Sequence, residues 1–215
     1  MNNLPGKTIE RLSAYRRVLL NYLTKDRDHI FSHDLAKLLY ITAVQVRRDV
    51  MLMGYAGMHK NGYNVKELIA GIGEVLDSKE GQKVAVVGFG YLGKAITGYF
   101  AGKRSKLDVA ASFDTNHQKV GTKVKGVKCF HFNHLKTIIK DKKISIVILT
   151  VPPNVAQDVT NKLVEAGIKG ILNFTTVPLN VPPGVYLEEH DMITSVEKVA
   201  FFVKKNDKSA VHGQQ

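Results

Sequence analysis

The chain has 215 residues, of which 44% are hydrophobic and 23% are charged. This ordinary globular composition excludes a wholly disordered or fibrous protein and fits one large domain or two small ones. Lysine and arginine outnumber aspartate and glutamate by 31 to 19, and the resulting net charge of +12 favours polyanionic partners, nucleic acid first.

The same sequence predicts the compartment. No apolar run reaches the roughly 18 residues of a membrane span, and no secretory leader follows Met1, so we expect no membrane partner. The single cysteine, Cys129, leaves no internal disulfide to form. We therefore expect a cytoplasmic protein.

Up to about residue 78, apolar residues recur at helical spacing. Ile9–Leu23 is a predicted first helix, and Ser32 is the expected N-cap of a short second helix. Thr42 and Gln45 match a T-x-x-Q capping box at the start of a third helix, which Gly54 is expected to end.

The next stretch predicts a hairpin, a fourth helix and a domain boundary. Asn61-Gly62 is a tight-turn signal beside His59 and Lys60, and Val65–Leu76 has helical periodicity. A polar joint follows. The predicted divisions are an N-terminal domain over 1–78, a second domain over 79–190, and a C-terminal segment over 191–215 that contains one more amphipathic helix.

After residue 82 short apolar runs alternate with helical stretches. The predicted strands are Val84–Val87, Val109–Phe113, Val127–Phe130, Ile144–Thr150, Gly170–Asn173 and Val185–Leu187, and the predicted helices are Leu92–Ala101, Asn133–Lys140, Val155–Ala166 and Met192–Val203. This alternation predicts an α/β fold with a Rossmann-like, doubly wound parallel sheet.

One loop in this part has a nucleotide-binding pattern. The run Gly88-Phe89-Gly90-Tyr91-Leu92-Gly93 reads G-x-G-x-x-G between a predicted strand and a predicted helix. The first glycine allows a tight turn, the second a close approach to a pyrophosphate, and the third close helix–strand packing. The helix N-terminus would then face the phosphates.

An acidic residue is expected about 20 positions later, at the end of the second strand, to bind the adenine ribose. Asp114 fits, and its charge would repel a 2′-phosphate, so the sequence predicts NAD(H) rather than NADP(H). A chance glycine loop with a solvated aspartate, or a methyltransferase-type nucleotide site, stays an alternative.

Two further strand ends are candidates for the same cleft, because ligands of open α/β sheets lie beyond the carboxyl ends of the strands. They are Thr150-Val151-Pro152 and Asn173-Phe174. Two well-formed strand–helix turns without a ligand would look the same.

The sequence shows no hydride-transfer constellation, so we predict no catalytic residues. Cys129, His131 and His134 form C-x-H-x-x-H, but no fourth ligand is evident and we predict no metal site.

The second and third helices match helix-turn-helix logic. The second helix of that motif enters the major groove, where glutamine and arginine read base edges or bind phosphate. The candidate DNA contacts are Thr42, Gln45, Arg47 and Arg48, with His59 and Lys60 in a wing. A small helical dimerisation domain with solvated arginines is the alternative.

Taken together, the sequence resembles the Rex family of bacterial redox-sensing transcriptional repressors over about residues 5–203. The most specific stretches are Arg11–Arg17, Thr42–Asp49, Gly88–Gly93, Thr150–Pro153 with Ala156-Gln157, and Gly170–Phe174. The resemblance implies a winged-helix domain, an NAD(H)-binding Rossmann domain, and a homodimer whose swapped C-terminal helix inserts between the subunits.

The resemblance also implies three residues that couple cofactor state to DNA binding: Arg17, Tyr99 and Asp191. One departure concerns the nicotinamide pocket, where Phe174-Thr175-Thr176-Val177 replaces the family's usual Phe-Ala-Pro-Val.

The resulting hypothesis is a dimeric repressor that senses the NADH/NAD⁺ ratio, binds two-fold symmetric double-stranded operator DNA, and releases it with NADH. A small NAD-dependent oxidoreductase with an N-terminal dimerisation module, and a cofactor-binding scaffold without DNA affinity, are the alternatives.

Overall fold

The structure, a computed structural model, describes residues 4–25, 27–55, 61–100 and 106–212, with side chains up to residue 205. The chain divides into two compact units, Met1–Lys79 and Glu80–Gln215.

The first unit is helical with one small β-ladder. Its elements are α1 (Gly6–Leu23), β1 (His29–Ile30), α2 (Ser32–Leu39), α3 (Ala43–Leu52), β2 (Tyr63–Asn64) and α4 (Val65–Leu76). The four predicted helices are confirmed. Strands β1 and β2 pair antiparallel, and the helices enclose a core that includes Leu12, Leu19, Leu35, Val46 and Leu68.

The ends of α3 follow the sequence. Gln45 N donates to Thr42 Oγ1 and Thr42 N donates to Gln45 Oε1, each at 3.2 Å, so the predicted capping box is confirmed. Gly54, with φ of +81°, follows the helix, and its N–H donates to the Met51 carbonyl. The left-handed glycine thus satisfies an end carbonyl of α3, as expected of a helix stop.

The predicted N-cap of α2 is wrong. Phe31 occupies that position, and Ser32 is the first helical residue. The backbone N–H groups of Asp34 and Leu35 donate to the Phe31 carbonyl, so the helix starts one residue early, directly after β1. The Ser32 hydroxyl instead accepts a hydrogen bond from Arg47 Nη1 at 3.2 Å.

The second unit is an α/β domain. Its elements are β3 (Gln82–Val87), α5 (Tyr91–Phe100), β4 (Leu107–Asp114), β5 (Lys123–Val124), β6 (Val127–His131), α6 (Leu135–Asp141), β7 (Ile144–Leu149), α7 (Ala156–Glu165), β8 (Gly170–Asn173), β9 (Tyr186–Glu189) and α8 (Met192–His212). Short 3-10 turns, Phe132–His134 and Pro153–Val155, precede α6 and α7. The predicted strands and helices are all present, and the two-residue β5 is additional.

The seven strands lie in the order β5-β6-β4-β3-β7-β8-β9 and are parallel except for the β5–β6 pair. Apolar side chains cover both faces of the sheet, and β3 is buried throughout its last four residues, Val84–Val87. Because β3 pairs with β4 on one side and β7 on the other, the direction of winding reverses at its carboxyl end. That reversal is where open α/β sheets place ligands.

The last helix of the second unit is unlike the others. Along α8, seven large apolar side chains are exposed: Met192, Ile193, Val196, Val199, Phe201, Phe202 and Val203. Within the part of the chain that the structure describes, neither this helix nor any other is long and apolar enough to cross a membrane.

Candidate nucleotide cleft and nucleic-acid interface

The glycine loop leaves β3 in a turn that only glycine can make. Gly88 has φ of +95°, and its N–H donates to the Phe113 carbonyl at 2.9 Å. A Cβ at this position would lie 2.5 Å from the carbonyl oxygen of Thr150. The ends of β4 and β7 therefore lie against the loop, one on each side of it.

The other two glycines of the loop differ in their surroundings. A Cβ at Gly93 would collide with the carbonyl oxygen of Gly88, so close packing of α5 on the loop requires glycine there. A Cβ at Gly90 would meet nothing within 4 Å, although Gly90 lines a cleft. The free space beside the Gly90 backbone, at the N-terminal end of α5, is where a diphosphate would approach.

The cleft beyond the strand ends has a volume of about 850 Å³, within the range of small-molecule sites. It brings together six of the predicted cofactor-binding residues: Gly88, Gly90, Asp114, Thr150, Val151 and Pro152. Its other walls come from the loop after β4, from Phe132 and from the start of α7.

Asp114 is fixed within this cleft by three donors. The Lys119 ammonium and the Phe89 backbone N–H donate to Oδ2, each at 2.8 Å, and the Asn116 N–H donates to Oδ1 at 2.9 Å. Burial by itself would raise the pKa of Asp114, but these hydrogen bonds lower it below its ordinary value. The carboxylate is therefore charged at neutral pH and holds the glycine loop against the end of β4.

Lys119 is a cleft residue that sequence reasoning missed. Its side chain is about one-third exposed, and it lines the cleft together with Asn116 and Thr115. The Lys119 N–H donates to the Asn116 carbonyl, so a local turn brings this lysine back to Asp114. The polar run Thr115–Lys119 after a ribose-type acid was the available signal.

Four predicted cofactor-binding residues of the glycine loop do not line the cleft: Phe89, Tyr91, Leu92 and Gly93. Phe89 is fully buried, and Tyr91 is 98% exposed. In the loop, contact with a ligand would thus come chiefly from Gly88 and Gly90.

Asn173 and Phe174 also lie outside the cleft lining. The buried Asn173 amide nitrogen donates to Glu189 Oε2 at 2.6 Å and to the Val177 carbonyl at 2.9 Å. Its oxygen accepts from the N–H and hydroxyl of Thr175 at 2.9 and 2.7 Å. Asn173 thereby organises the segment after β8, and its role toward a cofactor stays a prediction.

In the first unit, α3 presents the predicted DNA-contacting side chains. Thr42, Gln45, Arg47 and Arg48 are all exposed on this helix or at its cap. The other two candidates, His59 and Lys60, lie outside the described residues. The α2–turn–α3 arrangement with a polar, basic outer face is that of a helix-turn-helix reader.

The inner face of α3 contains a buried carboxylate, Asp49, which is 1% exposed. It accepts hydrogen bonds from Arg11, Tyr15 and Thr8 of α1. Burial alone would raise the pKa of Asp49, but the hydrogen bonds from Arg11 and Tyr15 lower it. The sequence signal was an acid three residues after the buried Val46.

The three predicted coupling residues lie on different elements. Arg17 is exposed on α1, and Tyr99 is 61% exposed near the end of α5, where its ring packs edge-on against Phe100. Asp191 precedes α8 and caps it: Oδ1 accepts from the N–H groups of Ile193 and Thr194 at 2.8 and 3.2 Å.

The described residues contain no group of three or more His, Cys, Asp or Glu that could hold a metal ion. His131 stacks on His117 at 4.6 Å between ring centroids, and its Nδ1 accepts the Asn133 N–H, while Cys129 is buried.

Two protein families match different parts of the chain. Residues 79–177 match the family described as CoA binding domain, and residues 3–50 match the family described as "Putative DNA-binding protein N-terminus". The two matches fall on the cleft-bearing unit and on the helical unit.

Curated proteins match over nearly the whole length. The redox-sensing transcriptional repressor Rex of Bacillus licheniformis is 35% identical over 94% of each chain, and that of Bacillus subtilis is 34% identical. Rex of Clostridioides difficile is 34% identical over 94% of this chain and 97% of its own. The chain belongs to the Rex family.

Solved structures of RSP, described as a Rex-family repressor, share the fold of this chain. The crystal structure of RSP in complex with β-NAD⁺ and operator DNA matches with a TM-score of 0.88 at 30% identity, covering 100% of both chains. The complex of RSP with β-NADH matches with a TM-score of 0.83, covering 98% of this chain and 99% of that one. Rex membership thus accounts for both the helix-turn-helix and the Rossmann-like sheet.

Proposed function

We propose that this Rex-family chain is a DNA-binding transcriptional repressor that senses the cellular NADH/NAD⁺ ratio and is released from operator DNA by NADH. One observation carries the proposal. A single polypeptide joins a helix-turn-helix with exposed Gln45 and Arg47 to a cleft in which a glycine loop faces a charged ribose-type acid, Asp114. RSP, with the same fold, was crystallised with β-NAD⁺ and operator DNA and with β-NADH.

The cleft fits a nicotinamide dinucleotide. The open space beside Gly90 accommodates a diphosphate. Asp114 is oriented by hydrogen bonds from Phe89 and Lys119, and its carboxylate can accept hydrogen bonds from ribose hydroxyls. A charged aspartate disfavours a 2′-phosphate, so NAD(H) is the expected cofactor rather than NADP(H). Val151 and Pro152 supply apolar surface to the same cleft.

The proposed assembly is a homodimer. Its operative parts are a winged-helix domain over 1–78, an NAD(H)-binding domain over 79–190 and a C-terminal segment over 191–215. The exposed apolar residues of α8 support an exchange of this helix between subunits in the cytoplasmic repressor. A two-fold dimer requires an operator with two-fold symmetry, since each recognition helix meets the same half-site.

The proposed switch acts through the dimer. A ligand shifts a conformational equilibrium only by binding its states with different affinity. NAD⁺ and NADH differ at the nicotinamide ring, so the protein must sense that end of the cleft. An Asp191–Arg17 pair, oriented by Tyr99, would exist only in the arrangement that spaces the recognition helices for DNA. A coupling of about 1–3 kcal/mol is typical of such switches.

Titration of NADH and of NAD⁺ into a protein–operator complex tests the proposal, with fluorescence anisotropy of labelled DNA as the readout. We expect release by NADH at concentrations where NAD⁺ has no effect. Equal effects of the two nucleotides would overturn the sensing role. Steady oxidation of NADH with added small carbonyl substrates would instead favour an oxidoreductase; for a repressor we expect no such turnover.

A further inference from the structure

Much of the positive charge of the chain lies in one segment far from the helix-turn-helix in sequence. Residues 119–143 contain eight lysines and a single acidic residue, Asp141, giving +7 of the total net charge of +12. This segment forms β5 and β6, at one edge of the sheet, and α6. Neither the nucleotide cleft nor the proposed switch requires such a concentration of charge.

The β5–β6 hairpin brings three of these lysines together. Lys123 and Lys128 are directly opposed in the antiparallel ladder, where like charges are destabilising. Lys125 and Gly126 form the two-residue turn between the strands, with φ of 48° and 85°. All three lysines are exposed.

A fourth lysine joins this group through an aromatic ring. The Lys128 ammonium lies 5.3 Å and the Lys142 ammonium 5.9 Å from the centre of the Phe130 ring. Attraction to the ring quadrupole holds each cation without neutralising it. We call Lys123, Lys125, Lys128 and Lys142 the lysine edge.

The lysine edge has no internal counter-charge among the residues that the structure describes. Of the eight lysines in the segment, only Lys119 forms an ion pair, with Asp114 in the cleft. The others have no described carboxylate within 4.0 Å. Cations that repel each other without a protein partner are the electrostatic footprint of a surface for phosphates.

We infer that the lysine edge binds the phosphate backbone of double-stranded DNA without sequence preference. The inference rests on the proposed function, which places the protein on DNA. The Phe130 ring between Lys128 and Lys142 is half-buried, so the edge offers point charges to phosphates rather than an exposed aromatic face for stacking on bases. It would supply a sequence-independent contribution to binding, separate from operator recognition by α3.

The test measures how two double variants of equal net charge bind a random-sequence DNA duplex at several salt concentrations. Lys123→Gln/Lys128→Gln removes the opposed pair of the edge, and Lys83→Gln/Lys169→Gln removes two exposed lysines elsewhere in the same unit. Each lost phosphate contact makes the negative slope of log K against log salt shallower by about 0.9. We therefore expect the magnitude of this slope to be smaller by about 2 in the edge variant than in wild type. Its affinity at 50 mM salt should fall at least about tenfold. The control variant should keep the wild-type slope.

Folding and operator recognition are separate readouts. Because Lys123 and Lys128 repel each other, their replacement should leave the thermal midpoint unchanged or raise it. The edge variant should keep its preference for operator over random DNA and its response to NADH. Arg47→Ala/Arg48→Ala should do the reverse, losing the operator preference while the salt slope attributable to the lysine edge persists.

Equal slopes for the edge and control variants would overturn the inference, and the lysines would then serve only to guard the β5 edge against pairing with other strands. Loss of binding to poly-glutamate with unchanged binding to DNA would overturn it in favour of an acidic protein partner. Failure of NADH to release wild-type protein from operator would defeat the proposed function while leaving the random-duplex comparison valid.

Discussion

Arg11 of α1 donates two parallel hydrogen bonds to Asp49 of α3, from Nε to Oδ2 at 2.6 Å and from Nη2 to Oδ1 at 2.7 Å. Tyr15 adds a third donor at 2.6 Å. A bidentate guanidinium–carboxylate pair fixes both distance and rotation. The outer face of α3, with Arg47 and Arg48, is thereby held in one rotation relative to α1.

Asp49→Asn should destabilise the first unit and weaken operator binding. An asparagine leaves the half-buried Arg11 against a neutral amide, and because solvent reaches part of the guanidinium, the cost should lie below the roughly 3–5 kcal/mol of a fully buried pair. Tyr15→Phe removes only one hydrogen bond to a charged group and should cost about 1.5 kcal/mol. Hydrogen exchange of α1 and α3 amides measures both effects. Glu10→Gln, which breaks the exposed pair with Lys7, should change little. Equal exchange in the Asp49 and Glu10 variants would show that the buried pair does not hold α3.

The same pair predicts a pH dependence. Because the pKa of Asp49 is lowered in the folded protein, its contribution to stability is complete above the unfolded value of about 3.9 and is lost as pH falls toward the folded value. The stability gap between wild type and Asp49→Asn should therefore narrow below about pH 4. Denaturation followed by circular dichroism from pH 7 to pH 3 measures the gap. A gap that stays constant across this range would contradict the assignment of charge to Asp49.

Gly90→Ala should separate nucleotide binding from folding. Its Cβ meets no atom within 4 Å, so the thermal midpoint should stay close to that of wild type. The same methyl group would occupy the space that a diphosphate needs, and NADH affinity should fall at least about tenfold. Calorimetric titration and thermal denaturation give the two readouts. Unchanged NADH affinity would show that the diphosphate lies elsewhere.

Gly93→Ala should act on the fold itself, because its Cβ would strike the Gly88 carbonyl oxygen. We expect a fall of several degrees in the thermal midpoint of the second unit together with loss of NADH binding. Gly98 lies on the same helix, and a Cβ there would make ordinary contact with Val124 at 3.6 Å. Gly98→Ala should therefore be neutral or stabilise α5 by up to about 1 kcal/mol. A Gly93 variant as stable as the Gly98 variant would contradict the packing role.

The periodicity of the sequence predicted most of the fold because both units bury apolar residues regularly. The failures have local causes. Ser32 has the chemistry of an N-cap, but the β1–β2 ladder brings the chain into the helix one residue early. The strand β5 has only two residues, too few for a period-2 signal.

The site was predictable where a backbone requirement selects a residue type. Gly88 and Gly93 were identified because no side chain fits in their places. Lys119 and Asp49 were missed as functional residues because their importance depends on partners distant in sequence or on a local turn. Arg11 and Asp49 are 38 residues apart, and nothing in their spacing predicts that pair.

Asp191→Asn should distinguish a capping role from a coupling role. Asparagine is as good an N-cap as aspartate, so its side-chain oxygen can still accept the Ile193 and Thr194 N–H groups and α8 should keep its start. The substitution removes the negative charge that the proposed pair with Arg17 requires. Helix content, dimer mass and NADH affinity should therefore match wild type, while operator affinity of the NADH-free protein falls. Arg17→Gln should produce the same loss, and the double variant no further loss, as expected of two partners in one interaction. Additive losses in the double variant would show that the two residues act independently.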